Sequence, residues 1–359
     1  MRVFNFAAGP AMLPLEVLER ARAELTDWQG SGMSVLEVSH RSKAFLEVAR
    51  QLEALLRELA GIPGDYKVLL LAGGATAQFA GIPLNLATAD STADYLNTGA
   101  WSSKAIAEAR RFCKVHLAAD EATSRYTTVP QAQALELTPG AAYVHYTPNE
   151  TIGGVEFPYV PQTGPVPLVA DMSSSILSQP LDVTRFGVIY AGAQKNIGPA
   201  GLAVVIARED LIGRARPGTP AVLDYGAMSR EGSMLNTPPT FSWYLAGLTL
   251  EWIKARGGLG AMAERNRAKA DALYGAIDSS GFYRNPVARH CRSRMNVPFT
   301  LANPDLDRRF LTEAAAAGLT NLEGHRSVGG MRASLYNAMP LEGVHALMAF
   351  MREFERRNG

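Results

Sequence analysis

The chain has 359 residues, 47% of them hydrophobic and 19% charged, and 35 Lys and Arg stand against 34 Asp and Glu for a formal net charge of +1. That length fills about two domains with sizeable cores, and the low charge content excludes a disordered, highly charged tail protein. The balance of signs gives no global field for nucleic acid or for a membrane surface, so recognition of anions has to be local.

From the N-terminus, no long apolar stretch precedes Gly9-Pro10, so no signal peptide is expected. The helix predicted over 42–60 carries Phe45, Val48, Leu52, Leu55, Leu56 and Leu59 on one stripe, closed by Gly61. Short, nearly continuous apolar runs at 66–72, 93–97, 112–118, 142–147, 168–170, 186–191 and 202–207 predict buried strands. Helical stretches at 79–86 and 104–111 alternate with them, which argues for an α/β domain with a mostly parallel sheet. Pro158, Pro161, Pro165 and Pro167 mark an exposed loop. The segment 213–240 is rich in Gly and Pro and reads as long, irregular and functional. A helix over 242–255 meets Gly257-Gly258-Leu259-Gly260, a domain border. Beyond it the pattern predicts helix 261–277, strand 294–301, helix 305–317, strand 331–337 and helix 341–356. The apolar runs are too short to span a bilayer. Cys113 and Cys291, the only cysteines, make neither a disulfide framework nor a zinc cluster, so no metal site is expected.

Three places are candidates for chemistry. At 69–80 a strand runs through Gly73-Gly74-Ala75-Thr76 into a helix, and free N–H groups there favour an anion such as phosphate. A plain strand–helix turn explains the same residues, and neither a dinucleotide nor a P-loop signature is present. Next, Asp171 ends one strand, and Gln194-Lys195-Asn196 follows another. That edge of an open sheet is where ligands bind, and a buried lysine there can form a Schiff base while a buried carboxylate pairs with a pyridine nitrogen. A solvated lysine and a helix-capping aspartate account equally for the spacing. Third, His40-Arg41, His325-Arg326 and Arg332 are cations beside glycines or without balancing acids, suited to carboxylate and phosphate or to bare surface. Trp101 follows a strand end and either stacks on a flat cofactor or fills core. His116 and His145 read as core histidines, and Cys113 as buried and inert.

Longer motifs decide between these alternatives. Residues 4–14 (FNFAAGPAMLP), 37–41 (EVSHR), 145–151 (HYTPNET), 190–201 (YAGAQKNIGPAG), 236–240 (NTPPT) and 324–343 resemble the phosphoserine aminotransferases, enzymes of fold type I that use pyridoxal 5'-phosphate. The resemblance covers essentially the whole chain. It implies a large cofactor-binding domain over 16–256 with a mostly parallel seven-stranded sheet. It also implies a small α+β domain over 257–359, with residues 1–15 near the active site. Lys195 and Asp171 become the catalytic pair, one holding the cofactor as a Schiff base and the other facing its ring nitrogen. Trp101 and Thr151 are implied to contact the ring, with Ala75, Thr76 and Gln194 at the phosphate. Asn236 and Thr237 would reach that phosphate from the second subunit of a homodimer. Arg332 would bind the substrate α-carboxylate, and His40, Arg41, His325 and Arg326 its second anionic end. The implied reaction moves an amino group from L-glutamate to 3-phosphohydroxypyruvate, giving 2-oxoglutarate and O-phospho-L-serine in the cytoplasm; some relatives also serve pyridoxine biosynthesis.

Ala8, Ala75 and Thr76 depart from some members, which carry Ser, Gly and Arg there. The rival readings are an alanine–glyoxylate-type aminotransferase, a cysteine desulfurase using Cys291 as a mobile nucleophile, and a non-catalytic cofactor-binding regulator.

Overall fold

The computed structural model describes residues 2–359. After a short strand β1 (Phe4–Asn5) and helices α1 (Leu15–Ala23) and α2 (Lys43–Ala60), the chain enters its main sheet with β2 (Tyr66–Ala72). Helices α3 (Thr76–Leu86) and α4 (Ala100–Ala109) flank β3 (Thr92–Asn97), and β4 (Lys114–Asp120) and β5 (Val144–Tyr146) follow. A two-stranded hairpin, β6 (Asn149–Glu150) and β7 (Val155–Glu156), leads to β8 (Leu168–Asp171), β9 (Val188–Gly192) and β10 (Leu202–Arg208). Seven of these strands form one sheet in the order β2-β10-β9-β8-β5-β3-β4. Only β10 runs antiparallel to its neighbours; the remaining pairs are parallel.

The near-continuous apolar runs have a simple cause. Side chains alternate between faces, and both faces are covered. Leu70, Ala170, Ile189 and Val204 belong to one core, and Leu69, Val169, Val188 and Val205 to the other. On the first face α2 packs against α6 (Thr240–Ala255), with the Phe45 and Trp243 rings stacked at 6.0 Å. Helix α2 starts where Ser42 Oγ accepts the Phe45 N–H at 3.2 Å and stops at Gly61, whose φ of 63° is left-handed. The opposite face is covered by α3 and α4, through Phe79 and Ile106 among others.

Helix α7 (Gly258–Asp278) joins the two cores. Leu259 and Met262 pack in the large one, and Ala270, Leu273 and Ile277 in a second, smaller one. The smaller core lies between α7, α8 (Asp307–Ala316), α9 (Leu341–Asn358) and a three-stranded antiparallel sheet of β11 (Tyr283–Arg284), β12 (Asn296–Leu301) and β14 (Met331–Ser334). Strand β1 pairs in parallel with β13 (Leu319–Thr320), and Phe6 is fully buried in the smaller core. The N-terminal segment therefore packs with the end of the chain.

Some elements differ from the sequence reading. Helix α1 was not expected, because it buries only Val17 and Ala21. Strand β4 begins two residues late, since Phe112 and Cys113 close the preceding turn by bonding to Ala109 O. Strand β14 stops at Ser334 because Leu335 and Tyr336 turn their carbonyls to Lys269. Within 213–240 a short helix α5 (Tyr225–Arg230) forms, capped by Asp224 Oδ1 accepting from Gly226 and Ala227. His116 is not a core residue: its side chain is 40% exposed and meets the buried Asp94 at 3.1 Å.

Candidate active site

The carboxyl edge of the sheet gathers residues that are distant in sequence. Asp171 is the last residue of β8, and Gln194 and Lys195 lie in the turn after β9. Thr76 begins α3 after β2, Trp101 sits in the first turn of α4 after β3, and Thr151 follows β6. All of these, with Ala75, line one cavity.

Lys195 is 8% exposed and donates from Nζ to Thr151 Oγ1 at 2.6 Å. Burial lowers its pKa to about 8, the nearby Arg332 pushes it the same way, and the charges of Asp171 and Glu150 oppose the fall. Asp171 is 4% exposed, and burial raises its pKa against the pull of Ser173 and Lys195. Ser173 donates both its N–H (3.0 Å) and its hydroxyl (2.6 Å) to Asp171 Oδ1. The Ser173 hydroxyl is itself fixed by the Gly192 N–H at 3.0 Å. Oδ2 has no protein donor among the described residues. A buried carboxylate with one bare oxygen calls for a cationic donor from a ligand. The Trp101 ring forms one wall, its centroid 5.9 Å from Lys195 Nζ.

At the other end of the cavity the turn Gly73-Gly74-Ala75 enters α3 with Gly73 at a φ of 108°. No side chain caps this helix. The Ala77 and Gln78 amides turn back to Gly74 and Ala75, leaving the Ala75 and Thr76 amides without a protein acceptor. Free amides at a helix start are an anion site. Thr76 is exposed, so this end lies open.

The predicted anion-binding residues fall into two sets. Arg332, on β14, is partly buried with an Nε that has no partner. His325 bonds Ser327 Oγ through Nδ1 at 2.7 Å, and burial first, then the charges of Arg332, Lys104 and Arg326, lowers its pKa. Arg326 is exposed. His40 carries a buried Nε2 with no partner and Arg41 is exposed, as are Asn236 and Thr237. None of these seven residues lines the cavity of its own chain, and of them only Arg332 makes its charge felt at Lys195.

Sequence reasoning passed over Ser173, Asn149 and Tyr336 as individual residues, while His145 and Cys291 were named in it. Ser173 holds Asp171, and its only signal was an Asp-x-Ser turn at a strand end. Asn149 donates to Ser174 Oγ at 2.8 Å and to Asn296 Oδ1 at 2.9 Å, tying the cavity wall to β12. Tyr336 donates its hydroxyl to Ala8 O at 2.9 Å. His145 donates or accepts at Tyr190 OH at 2.8 Å, but its Nδ1 has no partner. Cys291 is buried, and burial raises its thiol pKa, the reverse of an activated nucleophile.

The model of the aminotransferase class-V family matches residues 3–347. A curated phosphoserine aminotransferase from Azotobacter vinelandii is 60% identical over 358 residues, covering 100% of this chain and 99% of its own. Among solved structures, phosphoserine aminotransferase from Bacillus circulans subsp. alkalophilus superposes with a TM-score of 0.98 at 49% identity, over 100% of this chain and 99% of its own. The pyridoxal-phosphate-bound phosphoserine aminotransferase of Trichomonas vaginalis gives 0.93 at 43% identity, over 98% and 100%.

An amine brought to about 8 is mostly ammonium at neutral pH and mostly free amine one unit above its midpoint. In cofactor-free protein, labelling of Lys195 by trinitrobenzenesulfonate should rise with pH around a midpoint near 8. Peptide mapping across a pH series checks this; a midpoint at the ordinary lysine value would contradict it.

Proposed function

Because the chain belongs to the class-V aminotransferase family, we propose that this cavity transfers the amino group of L-glutamate to 3-phosphohydroxypyruvate, yielding O-phospho-L-serine and 2-oxoglutarate. The observation that carries the reading is a buried lysine and a buried aspartate with one bare oxygen, set in one cavity between an aromatic wall and a helix start. These residues fit pyridoxal 5'-phosphate, the cofactor of the family. Lys195 would hold its aldehyde carbon, Asp171 its ring nitrogen, Trp101 a ring face, Thr151 the ring hydroxyl, and Ala75, Thr76 and Gln194 its phosphate. When bound, the cofactor supplies an electrophilic carbon for amines and a protonated ring that accepts electron density from the reacting carbon.

The residues of the chain do the rest. Asp171 retains a proton on the ring nitrogen, because its Oδ2 is otherwise bare and its Oδ1 is locked by Ser173. Lys195, the one amine among the described residues that line the cavity, would take the proton from the substrate Cα and deliver it to the cofactor carbon two bonds away, beyond the shared nitrogen. A pKa lowered to about 8 lets it do both near neutral pH. Thr151 Oγ1 orients that amine. Arg332 meets the α-carboxylate that both substrates share, using the Nε that lacks a partner. The distal ends differ, a carboxylate in one substrate and a phosphate in the other. His325 and Arg326, with His40 and Arg41, form a cationic group that accommodates both without leaving an anion unpaired.

The active unit in this reading is a homodimer. Asn236 and Thr237 are exposed and miss the cavity of their own chain, while Thr76 leaves that cavity open. Met33, Leu36 and Leu46 beside Arg41 are 44%, 56% and 46% exposed, an apolar surface that a partner would cover. Unpaired cysteines suit a cytoplasmic setting, and no helix is long and apolar enough to cross a membrane.

Three measurements test the reading. Purified protein should show a visible cofactor band that L-glutamate removes and 3-phosphohydroxypyruvate restores, and Lys195→Ala should abolish turnover; borohydride trapping on a different lysine would refute the assignment. Arg326→Ala should slow the phosphoserine half-reaction more than the glutamate half-reaction, by roughly ten- to hundredfold, the worth of one charged hydrogen bond. Arg332→Ala should slow both, and equal losses in Arg326→Ala would remove the proposed division. Light scattering at assay concentration should give a dimer mass, and a fully active monomer would sink that part.

A further inference from the structure

Helix α4 begins without a usual cap. Its N-cap position is Gly99, which has no side chain to accept from the first-turn amides. The acceptor comes from another element. Glu150, at the end of the β6 strand, is completely buried. It accepts the Trp101 N–H through Oε2 at 3.0 Å, and the Ser102 N–H and Ser102 hydroxyl through Oε1, both at 2.8 Å. The Ser102 oxygen in turn accepts the Thr98 and Gly99 amides at 3.0 Å each. One carboxylate thus accepts two of the first-turn amides of the helix. Glycine at 99 is required by the same contact, since a Cβ there would lie 2.5 Å from Glu150 Cδ. A negative charge also sits at the positive end of α4.

Two cavity residues depend on this contact. Trp101 is bonded to Glu150 directly, and Thr151, the next residue after Glu150, orients Lys195. The carboxylate has no cation bonded to it among the described residues: burial raises its pKa, the donors at Ser102 and Trp101 hold it down, and its field reaches Lys195 and Asp171. We propose that Glu150 is a positioning residue for the reaction: standing in for the cap that Gly99 cannot supply, it fixes the Trp101 wall against Thr151 and Lys195 and holds a buried carboxylate whose field reaches the catalytic amine. The inference rests on the reading of the cavity as a pyridoxal-phosphate site.

The test compares holoenzymes of wild type, Glu150→Gln, Glu150→Asp and Gly99→Ala. In Glu150→Gln an amide N–H faces a backbone N–H and the charge is gone. The visible circular dichroism of the bound cofactor should lose at least about half its amplitude as the Trp101 wall loosens. Without the charge, the protonated form of the amine is less favoured, so the pH midpoint of the visible band should fall by a few tenths to about one unit. Turnover should drop roughly ten- to hundredfold with cofactor stoichiometry kept, the scale set by small misplacements near reacting atoms. Glu150→Asp keeps the charge but not the reach, so its midpoint should return to the wild-type value while the dichroism stays low. Gly99→Ala should reproduce the low dichroism by displacing the carboxylate. Wild-type dichroism and midpoint in folded Glu150→Gln would overturn the proposal. Should that variant not fold, wild-type dichroism in both Glu150→Asp and Gly99→Ala would do the same. A wild type with no visible cofactor band would instead defeat the reading of the site itself.

Discussion

The removal of one amine and one carboxylate from water sets the terms for the rest of the molecule. An isolated buried charge is very costly, and burying two requires that each be matched or left to a ligand. Here the match is partial. Lys195 has the Thr151 hydroxyl and the distant fields of Asp171 and Glu150, and Asp171 has Ser173 on one oxygen only. The fold supplies rigidity in place of full pairing. Both residues hang from the middle of a seven-stranded sheet, on adjacent strands β8 and β9 whose side chains are buried on both faces. Register pairs Asp171 with Tyr190, so the position of the carboxylate is fixed by the ladder as well as by its own hydrogen bonds. A site kept short of donors in this way is prepared for a ligand that brings its own cation and acceptors.

The elements of the smaller core are held to this site by amides and one buried lysine. Asn196, next to Lys195, accepts the Asn337 N–H at 3.0 Å, and Asn337 donates to Leu177 O at 2.8 Å. Lys269, buried on α7, donates to Leu335 O and Tyr336 O at 2.8 and 2.7 Å. These bonds fix the backbone that follows β14, and β14 carries Arg332. Neutral asparagines join buried surfaces without adding charge, which matters here because any further cation near Lys195 would depress its pKa beyond what burial and Arg332 already do. The N-terminal segment closes the arrangement: Ala11 N–H bonds Gln194 O at 2.8 Å, and Ala8 O accepts from Tyr336.

What could be read in the sequence follows from what is local. The strands of the large sheet were legible because both faces are apolar, and α2 because its stripe, its serine cap and its closing glycine agree. Asp171 and Lys195 were visible as polar residues just past strand ends, but only the longer motifs separated them from an ordinary cap and loop. Glu150 and Ser173 stayed hidden because their partners are set by folding. Glu150 grips residues 49 and 48 positions away, and Asn149 bonds Asn296 across 147. Helix α1 escaped because two buried residues make no periodic signal. The assignment of His116 to the core failed for a related reason: β4 is an edge strand, so one side of it faces water.

The two ends of the cavity treat anions by different means. At the helix start the free amides of Ala75 and Thr76 carry partial positive charge and no formal charge. Arg332 and Arg326 carry formal charge outside that lining, and His325 is discouraged from protonation by burial and by the charges of Arg332, Lys104 and Arg326. Placing a full cation at position 76 as well would add a field beside Lys195 of the same sign as Arg332. Threonine there leaves the helix start to dipoles. In the proposed reaction that end would take the cofactor phosphate, and formal charge would be kept for substrates whose anionic ends differ, so that a chain of net charge +1 could hold two anions at once.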